Sequence, residues 1–321
     1  MNEFEFIETL KDFLPPSDDR VVGIGDDCAV IKKPGVSKSL LVTTDMLAEN
    51  VHFRKSWGYA KAIAFKSVAV NISDIAAMGG IPQYLFWSLA IPKHDLHLLQ
   101  DLKDGVYEAC RVFQVHLFGG NTCASDSGLI LSHTLLGEAE HYVLRSTAKV
   151  GDLIYCTGVI GDGGLALDIL EKRLINLSDA EKASLVEHYF YVKPKVKLAS
   201  ALAQGHFATS MIDISDGLFQ DLGHVLKASH LAAQIDEQKI PLSKAMRKTK
   251  KHIHAAATAG EDYELLFSVA PHHAKSVEAL APGQITCIGK MMAPQNAGGI
   301  GKIVDATGKE ITMEKKGFQH F

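Results

Sequence analysis

Short apolar runs alternate along the chain with segments of helix length, a pattern typical of folds that mix strands and helices. It predicts strands at residues 21–24, 39–44, 84–91, 114–118, 128–136, 153–157, 211–214, 264–269 and 285–288. It predicts helices at residues 4–12, 59–78, 95–112, 162–173, 179–188, 194–203 and 217–229. The polar, glycine-containing segment 144–158 is a candidate domain junction. We therefore expect an α/β (or α+β) protein of two domains.

Composition and charge narrow the function classes. The chain has 321 residues, 47% of them hydrophobic, which is enough for a substantial core. Its net charge of -4 leaves no basic footprint, which argues against nucleic acid as a partner. The longest apolar stretch, residues 84–92, is too short to cross a membrane. The five cysteines form no CxxC pair and no signal-peptide pattern is visible, so we expect a cytoplasmic protein with no membrane partner.

The stretch VVGIGDDCAV, residues 21–30, places Asp26 and Asp27 side by side between two apolar runs. Adjacent carboxylates in a low dielectric repel each other, and one takes a proton unless a cation lies between them. Neither neighbouring side chain is basic. The pair is therefore either solvated in a turn or a holder of a metal ion.

A polar stripe crosses the predicted helix 59–78, which is otherwise apolar on all sides. Ser67, Asn71 and Asp74 are spaced at i, i+4 and i+7, so they share one face. A solvated face is the alternative to a buried polar site. Because the other faces are equally apolar, burial of the whole helix is favoured.

Further acids follow or precede predicted strands. Thr43, Thr44 and Asp45 end one strand, either as a ligand site at the edge of a sheet or as a polar turn with Asp45 as a helix cap. Asp213 alternates into the predicted strand 211–214, where a helix cap cannot explain it. Asp216 opens the next helix, as a ligand or as its N-cap.

Two more segments complete the motifs read from the sequence. Glu261 and Asp262 precede the predicted strand 264–269. Residues 161–166 formally match the dinucleotide fingerprint, but no acid-ended second strand follows at the right distance, so we interpret them as a glycine turn into a helix. The glycines of 117–121 predict another turn. The sequence contains no P-loop, no protein-kinase motif set and no zinc-type histidine spacing.

The candidate ligands are almost all oxygen atoms. Carboxylates and hydroxyls suit Mg²⁺ better than zinc or copper, and Mg²⁺ usually binds a few carboxylates together with substrate phosphates. Many acids with few phosphate-binding lysines indicate several magnesium ions that bridge a polyphosphate. The residues therefore predict a magnesium-dependent, phosphate-handling enzyme whose candidate ligands are Asp27, Thr43, Thr44, Asp45, Asp74, Asp213 and Asp216.

Seven motifs occur in order over essentially the whole chain: GIGDDCAV, TTDML, KSVAVNISDIAAMGGIP, GGNT, IDISDG, AGEDYELLF and KGFQHF. Together they resemble the thiamine-monophosphate kinase family, of the superfamily that includes aminoimidazole-ribotide synthetase. The resemblance implies an N-terminal α/β domain (1–146) whose strands form a β-barrel in a homodimer. It implies a C-terminal α/β domain (147–321) that covers the active-site cleft. The implied reaction converts ATP and thiamine phosphate into ADP and thiamine diphosphate.

The resemblance also implies roles for single residues. The family's magnesium ligands fall on the seven candidates above, and Asp26 would then support the turn or the outer shell of the metal. ATP contacts fall on Gly120, Asn121, Arg145 and Ser215, and thiamine phosphate contacts on His52 and Glu261. No catalytic side chain is expected, because the acceptor phosphate, with a second pKa of about 6, is already ionised near pH 7.

Two positions depart from the family pattern. The family usually has GGDT, with a magnesium-binding aspartate, where this chain has GGNT. The amide oxygen of Asn121 is still a possible magnesium ligand but brings no charge. An aromatic residue near the C-terminus normally packs on the thiamine, whereas Lys315 stands at that position here and Phe318 is the nearby substitute.

Two other functions stay open. A sister enzyme of the superfamily would use ATP to activate an amide oxygen or selenide. Selenophosphate synthetase-like members carry a reactive cysteine near the N-terminus, and residues 1–27 contain none. A non-catalytic nucleotide or metal sensor would explain Asn121 as a sign of lost activity, but retention of the other carboxylates argues against it.

Overall fold

The structure is a computed structural model that describes residues 2–13, 20–173, 176–249, 253–294 and 299–311. The first of its two sheets contains β1 (Val21–Val22), β2 (Ala29–Ile31), β3 (Ser39–Ala48), β4 (Ile81–Ile91), β5 (His116–Ala124) and β6 (Ile130–Ala139). The strand order is β1-β2-β3-β6-β4-β5. Only β4 and β5 are parallel in it, while the other neighbours run antiparallel. Strand β5 is therefore an edge strand of this sheet.

The second sheet contains β7 (Leu153–Thr157), β8 (Ala208–Ile214), β9 (Ala232–Ile235), β10 (Glu264–Val269), β11 (Ile285–Met292) and β12 (Ile303–Val304). Its order is β12-β9-β11-β7-β10-β8. Strand β10 is buried along its whole length. Its alternate side chains enter two different apolar clusters, Leu266 one and Leu265 and Phe267 the other, so both faces of this sheet are covered.

Ten α-helices accompany the sheets within the described residues: α1 (Glu3–Leu10), α2 (Ala60–Ala77), α3 (Leu99–Phe113), α4 (Asp162–Leu170), α5 (Asp179–Phe190), α6 (Val196–Gln204), α7 (Leu218–Ala228), α8 (Lys244–Lys248), α9 (Ile253–Ala257) and α10 (Ala274–Leu280). Helix α2 is central. It contacts β3 and β6 of the first sheet, β8 of the second, and helices α3 and α6. Most of its side chains are buried, as its apolar residues on all sides predict. None of the described helices is long and apolar enough to cross a membrane.

The predicted strands and helices are found near their predicted positions, with corrections. Strand β3 continues to Ala48, so Thr43, Thr44 and Asp45 lie in mid-strand and not at its end. The pattern missed β2, β9, β12 and helices α8 to α10, all of them short. Elements this short contain too few residues for a periodic pattern to emerge.

The glycine turn predicted at 117–121 is wrong, because these residues lie inside strand β5. A Cβ atom on Gly120 would lie 1.7 Å from the carbonyl oxygen of Trp87 on β4. The glycine therefore permits a close approach of the two strands, and not a change of chain direction.

The hydrophobic clusters combine residues that are far apart in the sequence. One cluster lies around α2, α3 and the first sheet, and it includes Leu165 of α4 and Tyr189 and Phe190 of α5. Two other clusters flank the second sheet. Helices that follow β7 in the chain thus pack into the N-terminal core. The domain boundary between residues 146 and 147 stays a prediction.

Helix α3 packs against α2 at Gly105, where a methyl group would lie 2.1 Å from the Lys61 carbonyl oxygen and 2.8 Å from the Ala64 Cβ. We predict that Gly105→Ala lowers the free energy of unfolding by about 1–3 kcal/mol, because the helices must separate to admit the methyl group. Urea unfolding measures the change.

The matched control is Gly223→Ala in α7, since no atom lies within 4 Å of a methyl group added there. This variant should be as stable as the wild type or more stable by up to about 1 kcal/mol. Equal stability of the two variants would contradict the tight contact between α2 and α3.

Candidate active site

A cavity of about 370 Å³ lies where β3 and α2 meet the C-terminal end of β8. Among the described residues, its lining contains seven carboxylates and one arginine. The predicted site residues that line it are Asp27, Thr43, Thr44, Asp45, His52, Asp74, Arg145, Asp213, Ser215, Asp216 and Glu261. The two halves of the chain therefore bring most of the predicted ligands to one place.

Strand β3 is open to the cavity because its neighbour β2 is short. Their pairing reaches only as far as Val42 on β3. Beyond Val42, the Asp45 backbone N–H donates to Asn71 Oδ1 of α2 at 3.1 Å. The Thr43 hydroxyl donates to Asp74 Oδ2 at 2.6 Å. Side chains of α2 thus contact β3 where β2 no longer pairs with it. The polar residues in the middle of β3 therefore face the cavity instead of another strand.

The polar stripe of α2 is bonded within the protein. The Ser67 hydroxyl donates to the Ala64 carbonyl at 2.8 Å and lies 2.8 Å from His133 Nε2. The Asn71 amide nitrogen donates to the Ser67 carbonyl at 3.0 Å. Ser67 and Asn71 are both buried, so the alternative of a solvated face is wrong. Burial lowers the pKa of His133 to about 3, which keeps this imidazole neutral.

The Asp26–Asp27 pair has a cation after all, Arg145, 118 residues further along the chain than Asp27. Arg145 Nη2 forms an ion pair with Asp27 Oδ1, and the Arg145 backbone N–H donates to Asp26 Oδ1 at 2.7 Å. The Asp27 side chain is only 2% exposed, so the solvated turn is wrong.

Burial shapes the charges of this group. It raises the pKa of Asp26 to about 6, although the hydrogen bond from Arg145 acts against the shift. Burial also opposes the charge of Arg145, but Asp27 and Asp26 outweigh it and raise the pKa of the guanidinium. Arg145 was predicted from the resemblance to contact ATP, and nothing in the local sequence indicated its pairing with Asp27.

Three carboxylates from three parts of the chain converge beside this arginine. One oxygen from each of Asp27, Asp74 and Asp213 lies within 4.8 Å of the others. The Ser73 hydroxyl donates to Asp213 Oδ2 at 2.6 Å. Burial raises the pKa of Asp213 to about 8, with the Asp27 charge adding to the shift, and burial and neighbouring acids raise that of Asp74. Because these donors are hard oxygen atoms in a negatively charged space, they fit Mg²⁺.

Asp216 directly precedes the N-terminus of α7, close to two residues of that helix that were not among the predicted ligands. Side-chain atoms of Asp216, Asp221 and His224 lie within 4.8 Å of one another. Asp221 Oδ2 accepts the backbone N–H groups of Asp216 and Gly217 at 3.2 and 3.0 Å. The N-cap position is Gly217, so the alternative of Asp216 as N-cap is wrong. The Asp-x-x-His spacing on one helix face was the available signal.

The wall formed by residues 259–263 has a constrained backbone. Glu261 and Tyr263 are non-glycine residues with φ of 66° and 50°. The Glu261 N–H donates to the Ser215 carbonyl at 2.7 Å. Glu261 Oε2 lies 2.5 Å from Nζ of Lys66 on α2, another partner that the sequence reading missed.

The next residue, Asp262, anchors this wall to α4. Its buried carboxylate accepts the backbone N–H groups of Gly161 and Gly163 at 2.7 and 3.0 Å. A protein carboxylate therefore occupies the turn that formally matched a dinucleotide fingerprint. The interpretation of residues 161–166 as a glycine turn into a helix is confirmed, since α4 begins at Asp162.

The remaining predicted residues differ in their placement. The His52 Nδ1 atom accepts the Ala48 backbone N–H at 3.0 Å, at the edge of the cavity. Gly120 and Asn121 lie on β5, which β4 and β6 separate from β3. Three strand spacings amount to about 14 Å, so this chain does not bring Gly120 and Asn121 to its own cavity. Lys315 and Phe318 lie outside the described residues.

Known proteins match this chain over its whole length. Residues 25–139 match the family described as AIR synthase related protein, N-terminal domain, and residues 149–302 match the corresponding C-terminal domain. The thiamine-monophosphate kinase of Buchnera aphidicola subsp. Schizaphis graminum is 35% identical, over 100% of this chain and 99% of its own length. That of Escherichia coli (strain K12) is 36% identical, over 94% and 92%. The chain belongs to the thiamine-monophosphate kinase family.

Solved structures agree with this membership. AaThiL complexed with AMPPCP and TMP superposes with a TM-score of 0.85 at 30% identity, covering 100% of this chain and 97% of that one. The hydrogenase maturation protein HypE gives a TM-score of 0.69 at 17% identity, over 93% and 97%, which shows a shared fold alone. The family and the two-domain α/β class predicted from the motifs are confirmed.

The raised pKa of Asp213 links stability to pH. The folded state holds the proton up to a pH of about 8, above the ordinary value of 3.8, so this stability is present at low pH and lost as pH rises. We predict that Asp213→Asn, which keeps an acceptor for Ser73, melts at or above the wild-type temperature at pH 8 in EDTA. The advantage should shrink toward pH 5.

Thermal unfolding of both proteins at pH 5 and pH 8 measures this difference. If Asp213→Asn melts well below the wild type at pH 8, the hydrogen bonds of the carboxylate outweigh its desolvation. That result would contradict the repulsion among these acids.

Proposed function

We propose that this protein transfers the γ-phosphoryl group of ATP to thiamine phosphate, giving ADP and thiamine diphosphate. The proposal is supported by an acidic cavity that both halves of the chain line, with residues to which the resemblance gives roles in binding metal, ATP and substrate. Full-length relatives named thiamine-monophosphate kinase and the complex of AaThiL with AMPPCP and TMP support it. We place the reaction in the cytoplasm, where the five unpaired cysteines suit reducing conditions.

Magnesium ions are part of the proposal. Asp27, Asp74 and Asp213 would hold them, with further oxygen ligands from Asp45, Thr43, Thr44 and Asp216. Bound there, magnesium would neutralise charge on the phosphates of both substrates. The chain contributes preorganisation, because the hydroxyls of Ser73 and Thr43 already donate to Asp213 and Asp74 and fix their orientation.

Arg145 and Ser215 are proposed to contact ATP. The ion pair with Asp27 fixes the Arg145 guanidinium at the cavity, where 20% of the side chain is exposed. A guanidinium presents several N–H donors in a plane, which suits phosphate oxygens. Ser215 follows β8 directly, and its carbonyl accepts the Glu261 N–H. One hydrogen bond thus ties the proposed nucleotide and substrate walls together.

The acceptor in this reaction is a phosphate oxygen of thiamine phosphate. It attacks the γ-phosphorus in line, so the protein's main task is to align two anions that repel each other. The second pKa of a phosphate monoester is about 6, so the acceptor is ionised near pH 7 and no side chain needs to remove a proton. We therefore assign no catalytic base and no protein nucleophile.

The direct test incubates the purified protein with ATP, magnesium and thiamine phosphate and separates the products by chromatography. We expect equal amounts of ADP and thiamine diphosphate, and no product in EDTA. Asp45→Asn should lower the rate about 100-fold or more, because it removes a charged ligand of the magnesium ions that would neutralise the reacting phosphates. Asp126→Asn is the control, since Asp126 is exposed and lies outside the cavity.

A folded wild-type protein that binds ATP but forms no thiamine diphosphate would contradict the kinase activity. That result would favour the sensor or another enzyme of the superfamily.

We also propose a homodimer formed through β5. Every residue of this edge strand is exposed in a single chain, with Phe118 65% and Leu117 47% exposed. Such an edge favours pairing with another strand. Beyond Val42, this edge of β3 has no strand partner among the described residues, and its backbone contacts α2 through the Asp45 N–H, which donates to Asn71. A two-fold dimer with β5 of one copy beside β3 of the other would close a barrel and bring Asn121 of the partner subunit to the cavity.

Phe118→Asp should convert the dimer into a monomer, because it places a charge in the proposed interface. Light scattering at micromolar concentration measures the mass. Val36→Asp is the control, since Val36 is also exposed but lies outside β5. A monomeric wild type, or a Phe118→Asp variant of wild-type mass, would contradict the proposed dimer.

A further inference from the structure

Lys66 is a buried cation to which the proposed reaction gives no role. It lies on the apolar helix α2, and its side chain is 5% exposed. Its Nζ atom lies 2.5 Å from Glu261 Oε2 and 3.1 Å from the centre of the Tyr189 ring. The Tyr263 ring centre is 5.5 Å away. One carboxylate and two aromatic rings therefore enclose a single ammonium group.

A buried ion pair of this kind contributes little net stability to a fold. Desolvation of two charges largely offsets their attraction, so apolar side chains of similar volume would serve as well. Most other buried positions of α2 hold apolar residues, and Lys66 is the one charged residue among those that are classed as buried. Burial lowers the pKa of Lys66, and the Glu261 carboxylate acts against that shift. We therefore look for the role of the Lys66–Glu261 pair in the cavity that Glu261 lines.

The Glu261 side chain contacts Lys66 and also lines the cavity. Its side chain is 23% exposed and lines the cavity, so one side meets Lys66 and the other faces the proposed substrate. Its backbone is held in the left-handed region at φ 66° by the bond to the Ser215 carbonyl and by the anchored Asp262. Backbone strain of this kind persists only where the surroundings fix the residue. Lys66 fixes the side chain in the same way.

Because Lys66 pairs with Glu261, the charge near Glu261 differs from that near the other acids of the cavity. Oxygen atoms of Asp27, Asp74 and Asp213 lie within 4.8 Å of one another, and carboxylates this close attract a metal ion. Glu261 has its own cation and attracts a metal ion less. Its carboxylate stays available to accept hydrogen bonds from the organic part of a substrate.

We propose that Lys66 is a positioning residue that directs the Glu261 carboxylate toward the organic part of thiamine phosphate and keeps a metal ion away from it. This inference rests on the proposed function. It separates a metal and phosphate region of the cavity from a region that recognises the rest of the substrate.

Steady-state kinetics of Lys66→Met tests the positioning. The KM for thiamine phosphate should rise by about tenfold or more, because the Glu261 carboxylate is no longer directed at the substrate. The kcat and the KM for ATP should change by less than about threefold. Lys61→Met is the matched control, since Lys61 lies on the same helix but is exposed. In a Glu261→Gln background, Lys66→Met should change the KM by less than about threefold.

A second readout does not depend on turnover. Electron paramagnetic resonance of Mn²⁺ counts the bound ions, and Lys66→Met should bind one more Mn²⁺ than the wild type. Addition of Glu261→Gln should abolish that extra ion.

A Lys66→Met variant with wild-type KM and ion count would overturn the inference. A fall in kcat and in melting temperature together with a rise in both KM values would also overturn it, because such a pattern indicates a purely structural role. If Lys66→Met does not fold, the double variant with Glu261→Gln leaves no buried charge unpaired and is compared with Glu261→Gln alone. A wild type that makes no thiamine diphosphate contradicts the proposed function, whereas the Mn²⁺ count still tests the effect of Lys66.

Discussion

Electrostatic repulsion among buried carboxylates is the constraint on which the site depends. Asp27, Asp74 and Asp213 place oxygen atoms within 4.8 Å of one another, and Arg145 forms an ion pair with Asp27. Burial raises the pKa of Asp213 and Asp74, so the folded chain holds their charges at a cost. A divalent cation relieves that cost, which links metal binding to stability.

Helix α2 allows the fold to maintain this arrangement. Because it contacts both sheets, one buried helix supplies Asp74 to the acidic cluster, Asn71 to the open edge of β3 and Lys66 to the opposite wall. The short β2 leaves that edge open, and the bond between Glu261 and Ser215 joins the two walls contributed by the C-terminal half. The same helix thereby sets both the metal region and the substrate region.

Sequence patterns predicted the features that depend on the periodicity of a single strand or helix. The alternation of Asp213 within a strand and the stripe on α2 identified buried polar groups because each follows from the periodicity of one element. The pairs Arg145–Asp27 and Lys66–Glu261 span 118 and 195 residues, and no short pattern encodes such contacts. The glycines of β5 predicted a turn, but contact with Trp87 explains them. Asn121 lies on β5 and does not line the cavity of its own chain.

Anomalous diffraction from crystals grown with Mn²⁺ and a non-hydrolysable ATP analogue would locate the metal ions in the cavity. We predict manganese peaks bonded to Asp27, Asp74 and Asp213, with the nucleotide phosphates on the same ions, and no manganese on Glu261. A manganese ion on Glu261, or a nucleotide bound in the cavity without metal on these three aspartates, would contradict this prediction.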